Sequence, residues 1–355
     1  MTFASRFRGW VGSECQIRST GALATLFVAL IFVAPCAAQT RGKSERAQRS
    51  GEIAIGVGHG IGFLPLFIAQ DLRLLEKHAK ANGLSATLAL RRFPTVAPMR
   101  QALAKGEIAA GAYGLPAFLE ARDAARQTPQ ELLAVSGLTT LPLVLLTARA
   151  DIRALNDLKP DDKIAVPMLT APQVSYLSMQ THPWFGRERL RRQLVVMPHQ
   201  ESLEALTEGK GIAAYFSSPP FTQIAMRDPK VRAVVSSADI MGGKASFMVM
   251  ASPKAALAVH PKLPDVLAKA IDEASGVIRN DPRRAAMIWL KWEPSHTLEA
   301  RTVEGILRDL KDDFGSGVFG VEATATYLRR DNRLKDGLSS WKDVVAPAIA
   351  AGQGS

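Results

Sequence analysis

Short apolar runs alternate with amphipathic stretches from residue 51 to near the C terminus. Runs rich in aliphatic and β-branched residues predict strands at residues 52–57, 86–90, 108–112, 132–136, 143–147, 163–166, 194–197, 212–216, 233–236 and 247–251. Between them, apolar side chains recur on one helical face at residues 65–77, 96–105, 202–208 and 263–280. This alternation is typical of an α/β fold with parallel sheets.

Two segments of the chain follow the same plan. Residues 102–106 (ALAKG) precede an apolar run at Ile108, and residues 205–209 (ALTEG) precede one at Ile212. In each copy a proline lies eight positions beyond that isoleucine. A glycine that ends a helix and a proline that opens the next helix therefore occur twice. This repeat favours two lobes built on one plan, although α/β units resemble one another in any case.

The first 38 residues differ from the alternating region and have the layout of a secretory signal peptide. Three arginines outweigh one glutamate, an apolar run follows at residues 22–33, and small residues precede a cut after Ala38. A retained membrane anchor is disfavoured because spanning a bilayer takes roughly 20 apolar residues. Cys36 suggests a lipoprotein anchor instead, but the proline directly before it, Pro35, fits the lipobox motif of such anchors badly. We therefore expect export to the periplasm and a flexible tether at residues 39–50.

Cysteine usage and charge narrow the chemistry. Cys15 and Cys36 both lie in the predicted leader, so the rest of the chain lacks disulfides, thiolate metal sites and cysteine nucleophiles. The formal charge is +11, and removing the leader's three arginines and one glutamate leaves +9. The densest basic run, RERLRR at residues 187–192, is interpreted as a solvated helix face. A basic exported protein favours anionic solutes or membrane surfaces, and we expect no nucleic-acid partner.

The stretch IGVGHGIGFLP at residues 55–65 raises the question of a cofactor loop. A dinucleotide fingerprint needs G-x-G-x-x-G, but its third glycine would fall at Ile61 counted from Gly56, and at Phe63 counted from Gly58. No Gly-Lys-Ser/Thr for a phosphate loop follows. We therefore expect no cofactor, but a loop whose backbone approaches a ligand ahead of a helix N-terminus.

Patterns of catalysis and metal binding are poorly supported. The six histidines show no H-x-x-x-H spacing, and no G-x-S-x-G elbow occurs. No close acidic pair stands at the end of a predicted strand. Only His59 lies in a candidate pocket, where hydrogen bonding or simple exposure explains it better than general-base chemistry. We therefore expect no enzyme, no catalytic residue and no metal.

Several other predicted strand ends carry small or hydroxyl side chains beside prolines that can start helices. Capping of the next helix explains each of them taken singly. Together they favour a ligand site, because open α/β sheets bind ligands at the carboxyl ends of their strands. These loops begin at Tyr113, Gly137, Met168 and Ser217.

From about residue 51 to 346 the chain resembles the periplasmic substrate-binding proteins of nitrate, taurine and aliphatic-sulfonate ABC importers. That family shares its fold with the pyrimidine-precursor-binding proteins of thiamine biosynthesis. No single motif is diagnostic, but the order of the matching segments is specific. They are GVGHGIGFLPLFIAQDLRLLEK, MRQALAKGEIAAGAYGLPAFLEA, SGLTTLPLVLLTA, DLKPDDKIAVP, ALTEGKGIAAYFSSPPF and IRNDPRRAAMIWL.

The resemblance implies a bilobed periplasmic-binding-protein fold of type II, with two parallel-rich sheets flanked by helices and a hinge of two crossovers. It implies a first lobe at residues 51–143 and 249–355, the latter with the C-terminal helices, and a second lobe at 144–248. The crossovers would lie near residues 141–148 and 245–250. Carried over to this chain, the ligand-binding residues are His59, Gly60, Ile61, Gly62, Phe63, Tyr113, Gly114, Leu138, Thr139, Thr170, Ala171, Gln173, Ser217 and Ser218.

The implied function is that of a monomeric solute-binding component that serves an ABC permease and its ATPase in the inner membrane. The solute would be small and anionic or zwitterionic, such as a sulfonate, taurine, a nitrate-like anion or a pyrimidine. The family's aromatic-rich first loop is here His-Gly-Ile-Gly-Phe, which leaves the solute class open. Two alternatives remain: a pyrimidine-precursor-type enzyme with His59 as its reactive group, and a ligand-sensing partner of a membrane regulator.

Overall fold

The computed structural model describes residues 51–294, 298–335 and 337–355. The predicted leader, the predicted tether, both cysteines and His296 lie outside these described residues. All of the described residues belong to one compact unit, Arg46–Ser355. In this part of the chain, no helix combines the length and hydropathy that crossing a bilayer requires.

Ten strands run through the described residues, and each overlaps one of the apolar runs from which a strand was predicted. The first strand matches its predicted bounds residue for residue. The strands are β1 (Glu52–Val57), β2 (Thr87–Arg92), β3 (Ala110–Gly114), β4 (Leu132–Thr139), β5 (Val144–Thr147), β6 (Ile164–Val166), β7 (Leu194–Val196), β8 (Ala214–Ser217), β9 (Arg232–Ser236) and β10 (Met248–Pro253).

The strands form two five-stranded sheets with the same plan. The first sheet has the order β2-β1-β3-β10-β4, and the second has the order β7-β6-β8-β5-β9. In the first sheet β1 is parallel to β2 and β3, while β10 is antiparallel to β3 and β4. In the second sheet β6 and β5 take these two roles. Each sheet is therefore mixed but parallel-rich, with one strand running against the other four.

The antiparallel strand of each sheet follows directly after the chain arrives from the other sheet. The chain leaves the first sheet at the end of β4 and enters the second as β5, through residues 140–143. It returns from β9 to β10 through residues 237–247. The predicted crossovers overlap these two segments and extend into β5 and β10. The limits of the two lobes stay predictions.

Thirteen helices in the described residues flank the sheets. They are α1 (Leu64–Asp71), α2 (Leu74–Ala81), α3 (Val96–Ala104), α4 (Leu115–Ala124), α5 (Pro172–Gln193), α6 (His199–Glu208), α7 (Phe221–Ala225), α8 (Ser237–Met241), α9 (Lys254–Val259), α10 (Leu263–Asn280), α11 (Pro282–Trp292), α12 (Ala300–Asp309) and α13 (Val321–Arg330). Helix α5 is kinked at Gly186, whose φ is 72°.

The helix predicted over residues 65–77 is wrong, because the chain forms two helices there. Arg73 adopts a left-handed φ of 56°, which interrupts the helical hydrogen bonds between α1 and α2. Both helices pack on α10. The break turns Leu74 and Leu75 into the same apolar cluster that buries α1. Burial of these leucines therefore overrides the regular helical pattern of the sequence.

Each sheet is covered by apolar side chains on both faces. In the first sheet, one cluster packs under α1, α2, α10 and α11, and a second one packs under α3, α4 and α13. In the second sheet, one cluster includes side chains of α5, and the opposite cluster includes side chains of α6 and α7. Helices on both faces are the arrangement that the alternating pattern predicted.

A loop lies against the backbone of β4, and this contact requires a glycine. The amide of Gly137 donates a hydrogen bond to the Ser316 carbonyl oxygen at 2.7 Å. A Cβ at Gly137 would overlap the carbonyl oxygen of Gly317. Because the obstructing atom belongs to the backbone, a side-chain rotation cannot relieve the collision.

We expect Gly137→Ala to lower the free energy of unfolding by about 3 kcal/mol, the upper part of the range for overpacked interiors. Gly305→Ala in α12 is the matched control, because a Cβ there meets no heavy atom within 4 Å. Alanine favours the helix more than glycine does, so the control should be neutral or stabilising. Urea unfolding followed by circular dichroism measures both, and equal losses would contradict the prediction.

Candidate functional site

The carboxyl ends of the parallel strands lie at one edge of each sheet, and all the predicted ligand-binding residues lie at or just beyond strand ends there. In the first sheet these residues follow β1 or end β3 and β4. In the second sheet they follow β6 or lie at the end of β8. These two edges form the candidate site, because ligands of open α/β sheets bind at such edges.

Residues beside the two sheets meet around Phe247, which lies in the return crossover, the segment 237–247 that leads from β9 to β10. A Cβ at Gly114 would lie 2.5 Å from the Pro172 Cγ and 3.7 Å from the Phe247 carbonyl oxygen. A Cβ at Gly62 would lie 3.4 Å from the Phe247 ring and 2.9 Å from the Met248 sulfur. The Phe247 side chain packs against apolar clusters of both sheets. Gly62 and Gly114 are thus brought together with the start of α5.

The alternating glycines at the end of β1 and in the loop after it are each required for a different structural reason. At Gly56 a Cβ would lie 2.9 Å from the Met99 Cγ, and at Gly58 it would lie 2.9 Å from the Phe63 ring. Gly60 has a φ of 102°, which side chains rarely tolerate. The expectation of a ligand-approaching backbone therefore rests on Gly60 alone, where a Cβ would meet no heavy atom within 4 Å, since packing against protein side chains accounts for Gly56, Gly58 and Gly62.

Several predicted site residues lie in the protein interior. Ile61, Phe63 and Leu138 belong to the apolar cluster between the first sheet and α1 and α10. Tyr113 is also buried, and burial raises the pKa of its hydroxyl while the Arg100 guanidinium, 5.3 Å from the ring centroid, opposes this shift. These buried side chains support the loops of the candidate site by packing in the interior beneath them.

Thr139 is buried, and its hydroxyl oxygen has no hydrogen-bond partner among the described residues. Its carbonyl oxygen accepts a hydrogen bond from the Phe247 amide at 2.8 Å, so Thr139 stands beside the return crossover. An unpaired buried hydroxyl is costly unless a ligand or water satisfies it. Thr139 is therefore the first-sheet residue among those predicted whose side chain has free hydrogen-bonding capacity.

The second sheet presents its predicted residues differently. Thr170 is exposed, while Ala171 and Gln173 are buried at the start of α5. The Ser217 hydroxyl donates to the Val144 carbonyl oxygen at 2.8 Å and accepts from the Thr222 hydroxyl at 2.7 Å. Because its single proton serves Val144, Ser217 has no donor left for a ligand.

Ser218 belongs to a short hydrogen-bonded chain that centres on His199. The Ser218 hydroxyl lies 3.1 Å from the His199 Nε2, and the His199 Nδ1 contacts the Tyr215 hydroxyl. The imidazole stacks on Phe221 with ring centroids 5.0 Å apart. Burial lowers the pKa of His199 to about 4, so the ring is neutral near pH 7. This neutral chain can offer the Ser218 hydroxyl to a ligand without adding charge.

A polar cluster at the edge of the first sheet surrounds Glu293, which follows α11. The Glu293 carboxylate accepts a hydrogen bond from the Gly60 amide at 3.2 Å and pairs with the Arg92 guanidinium. Its other oxygen lies 3.4 Å from the Nδ1 of His59, whose side chain is 55% exposed. The loop after β1 is therefore tied to the end of β2 and to α11.

A second set of contacts joins α5 to the end of the chain. The His182 Nδ1 and the Arg187 guanidinium lie 3.2 Å and 2.5 Å from the Asp331 carboxylate. Arg333 pairs with Glu120 at 2.6 Å and lies 3.4 Å from the Ser175 hydroxyl. Burial lowers the pKa of His182, although Asp331 opposes this shift. These contacts link the helix beside the second sheet to helices beside the first.

His199, Arg92 and Glu293 were not singled out in the sequence analysis. His199 and Arg92 also stand at strand ends, so their position in the pattern was a usable signal. Glu293 lies more than 200 residues from its partners, and nothing local marks it. The described residues contain no group of three or more His, Cys, Asp or Glu side chains that could hold a metal ion.

No protein-family model and no curated protein sequence matches this chain. Among solved structures, it is similar to the periplasmic aliphatic sulphonate binding protein SsuA from Escherichia coli, with 15% identity, a TM-score of 0.63, and 85% of this chain and 99% of that chain covered. It is also similar to the alkanesulfonate-binding protein SsuA from Xanthomonas axonopodis pv. citri bound to MOPS, with 18% identity, a TM-score of 0.62, and 85% of this chain and 98% of that chain covered.

The periplasmic nitrate-binding protein NrtA from Synechocystis PCC 6803 is a third similar structure, with 13% identity, a TM-score of 0.56, and 86% of each chain covered. At identities this low, the structural similarity establishes a shared fold and nothing beyond it. The similarity confirms the predicted periplasmic-binding-protein fold class, and these neighbours are of the kind that the sequence resemblance indicated.

The contact between Gly114 and Pro172 predicts that Gly114→Ala will hold the two carboxyl edges apart. Gly114 has φ −66° and ψ 142°, so alanine adds no backbone strain and only the collision acts. Spin labels on His59→Cys and Thr170→Cys should move apart by at least about 1 Å, because a carbon–carbon contact needs about 3.5 Å and only 2.5 Å is present. Gly276→Ala, with open space around its Cβ, should leave the distance unchanged.

The buried His199 predicts a loss of stability in acid. In the folded protein its pKa is about 4, below the ordinary value of 6.5, because burial favours the neutral ring. The contribution of the neutral ring to the free energy of unfolding is therefore fully present above pH 6.5 and is lost as the pH falls to 4. This group should remove about 3 kcal/mol from the free energy of unfolding over that range. His199→Gln, which does not titrate, should lose correspondingly less in urea unfolding at pH 7 and pH 4.5. Parallel losses for both proteins would contradict the prediction.

Proposed function

We propose that this protein is the exported solute-binding component of an ABC importer. It binds a small anionic or zwitterionic solute reversibly between its two carboxyl edges and delivers it, as a periplasmic monomer, to a permease with its ATPase. One observation carries the proposal. Two sheets of identical strand order, joined by two crossovers, come together at Gly114 and Pro172. Such an arrangement can close around a solute by hinge rotation.

The polar groups at the two edges support an anionic solute. Helix α5 starts at Pro172, beside Gly114, so the positive dipole end of that helix lies near the meeting point. Arg92 adds a guanidinium to the first edge. His199, on the second edge, is neutral near pH 7, so it adds hydrogen bonding but no charge. The charge of +9 expected after removal of the leader acts in the same direction.

The solutes of the structural neighbours support the same class. Two neighbours are named for aliphatic or alkane sulfonates, one of them bound to MOPS, and a third is named for nitrate. All three names describe oxoanions or molecules that carry one. We therefore propose that the solute carries at least one sulfonate, carboxylate or nitrate-like group.

The geometry of His59 gives little support to the enzyme alternative. Its side chain is 55% exposed, and its hydrogen-bond partner is the Glu293 carboxylate at 3.4 Å. General-base chemistry works best where the base is fixed against its substrate and bulk water is excluded. Reversible binding needs neither condition, so we propose binding without turnover.

We expect calorimetry and thermal unfolding to identify a ligand among ethanesulfonate, taurine, MOPS, nitrate, acetate and a pyrimidine. At one hundred times its dissociation constant, a ligand specific for the folded state should add about 2.7 kcal/mol to the free energy of unfolding. Ser218→Ala should weaken binding, and Ser85→Ala, at an exposed position just before the amino end of β2, should not. The proposal fails if no compound stabilises the protein and denaturing mass spectrometry finds none co-purified from the periplasm.

A further inference from the structure

Three donors from the ends of two neighbouring strands, β1 and β2, converge on the carboxylate of Glu293. They are the Gly60 amide at 3.2 Å, the Arg92 guanidinium, and the His59 imidazole at 3.4 Å. The carboxylate is largely enclosed, with 18% of the Glu293 side chain exposed. A backbone amide, a guanidinium and an imidazole are the groups with which proteins recognise oxoanions.

Two of the donors, Arg92 and the Gly60 amide, are fixed in place independently of the Glu293 carboxylate. Arg92 donates a second hydrogen bond to the Trp292 carbonyl oxygen at 2.9 Å. Its guanidinium lies 5.3 Å from the Phe67 ring and 6.0 Å from the Trp292 ring, and these two rings stack at 5.0 Å. The Gly60 amide is oriented by a φ of 102°, which a side chain would oppose. These two donors would therefore keep their positions if the carboxylate left, and the exposed His59 side chain can turn toward an anion beside them.

Glu293 itself is poorly placed by its own helix. It is the residue at the C-terminal cap of α11, where the helix dipole is negative and disfavours a carboxylate. Two of its three partners belong to the loop after β1, and the third ends the neighbouring parallel strand β2. All three thus lie at the carboxyl edge that the proposed function assigns to the solute.

We propose that Arg92, the Gly60 amide and His59 form the binding site for the anionic group of the solute, and that Glu293 occupies this site until the solute displaces it. The inference rests on the proposed function. The chemical class is a carboxylate, sulfonate or nitrate-like group, because at least two oxygens are needed to meet donors on different sides. A cationic group is excluded by Arg92.

Removal of the internal carboxylate provides the test. In Glu293→Ala, acetate, nitrate and methanesulfonate should bind at least about tenfold more tightly than in the wild type, since their competitor is gone. Binding is followed in the full-length protein by chemical shifts of the Gly60 amide, which must saturate with the anion. Adding Arg92→Gln to this variant should abolish the gain. If Glu293→Ala does not fold, Glu293→Gln keeps the size, removes the charge, and carries the same expectation.

Glu273→Ala is the matched control. The Glu273 carboxylate is held by Lys77 at 2.7 Å and by His78 at 2.8 Å, two cationic or titratable groups without a backbone amide. Its removal should produce no tenfold gain for the same three anions. An equal gain in Glu273→Ala, or no gain in Glu293→Ala or Glu293→Gln, would mean that Glu293 is only an ion pair that ties α11 to the sheet.

The outcomes separate the two proposals. If the wild type binds a solute of the panel and the Glu293 variants gain nothing, the proposed function stands and the assignment of this anion site is overturned. If the Glu293 variants take up simple anions but the wild type binds no solute at all, the anion site stands and the proposed transport role fails.

Discussion

The close approach between the end of β3 and the start of α5 is the constraint on which the candidate site depends. Gly114 meets Pro172 there with no room for a methyl group, and Phe247 fills the space behind them. Because Phe247 packs against apolar clusters of both sheets, the return crossover is part of the same contact. The spacing of the two carboxyl edges, and hence the size of any solute between them, is set by backbone and ring atoms that cannot shrink.

Hydrophobic patterning predicted every strand and the long helix α10, because burial on a sheet or a helix face leaves a period in the sequence. It missed the break at Arg73, where burial of Leu74 and Leu75 in the tertiary core overrides the local pattern. The structural role of the glycines was harder to predict from the sequence. Gly56 and Gly58 resembled a ligand loop, but they make room for Met99 and Phe63, which no local spacing reveals. The candidate site was predicted from the strand ends, whereas Glu293 could be found only from the fold.

The two edges differ in chemistry although their sheets share one plan. The first edge carries charge, with Arg92 and Glu293 paired beside the exposed His59. The second edge carries a neutral chain of Tyr215, His199 and Ser218, which burial keeps uncharged near neutral pH. A solute held between them would meet charge recognition on one side and hydrogen-bond recognition on the other. Under the proposed function, two sheets of one backbone plan would thus recognise different ends of one solute.

Helix α5 links the meeting point to a distant ion pair. It begins at Pro172, and beyond its middle it carries His182 and Arg187, which bind Asp331 after α13. A rotation that parted the two sheets would have to stretch or exchange these contacts. Asp331 is almost enclosed, but Arg187 is more than half exposed. Dissolved salt can therefore screen the attraction between Arg187 and Asp331, and the energy of such a rotation would depend on the ionic strength of the surroundings.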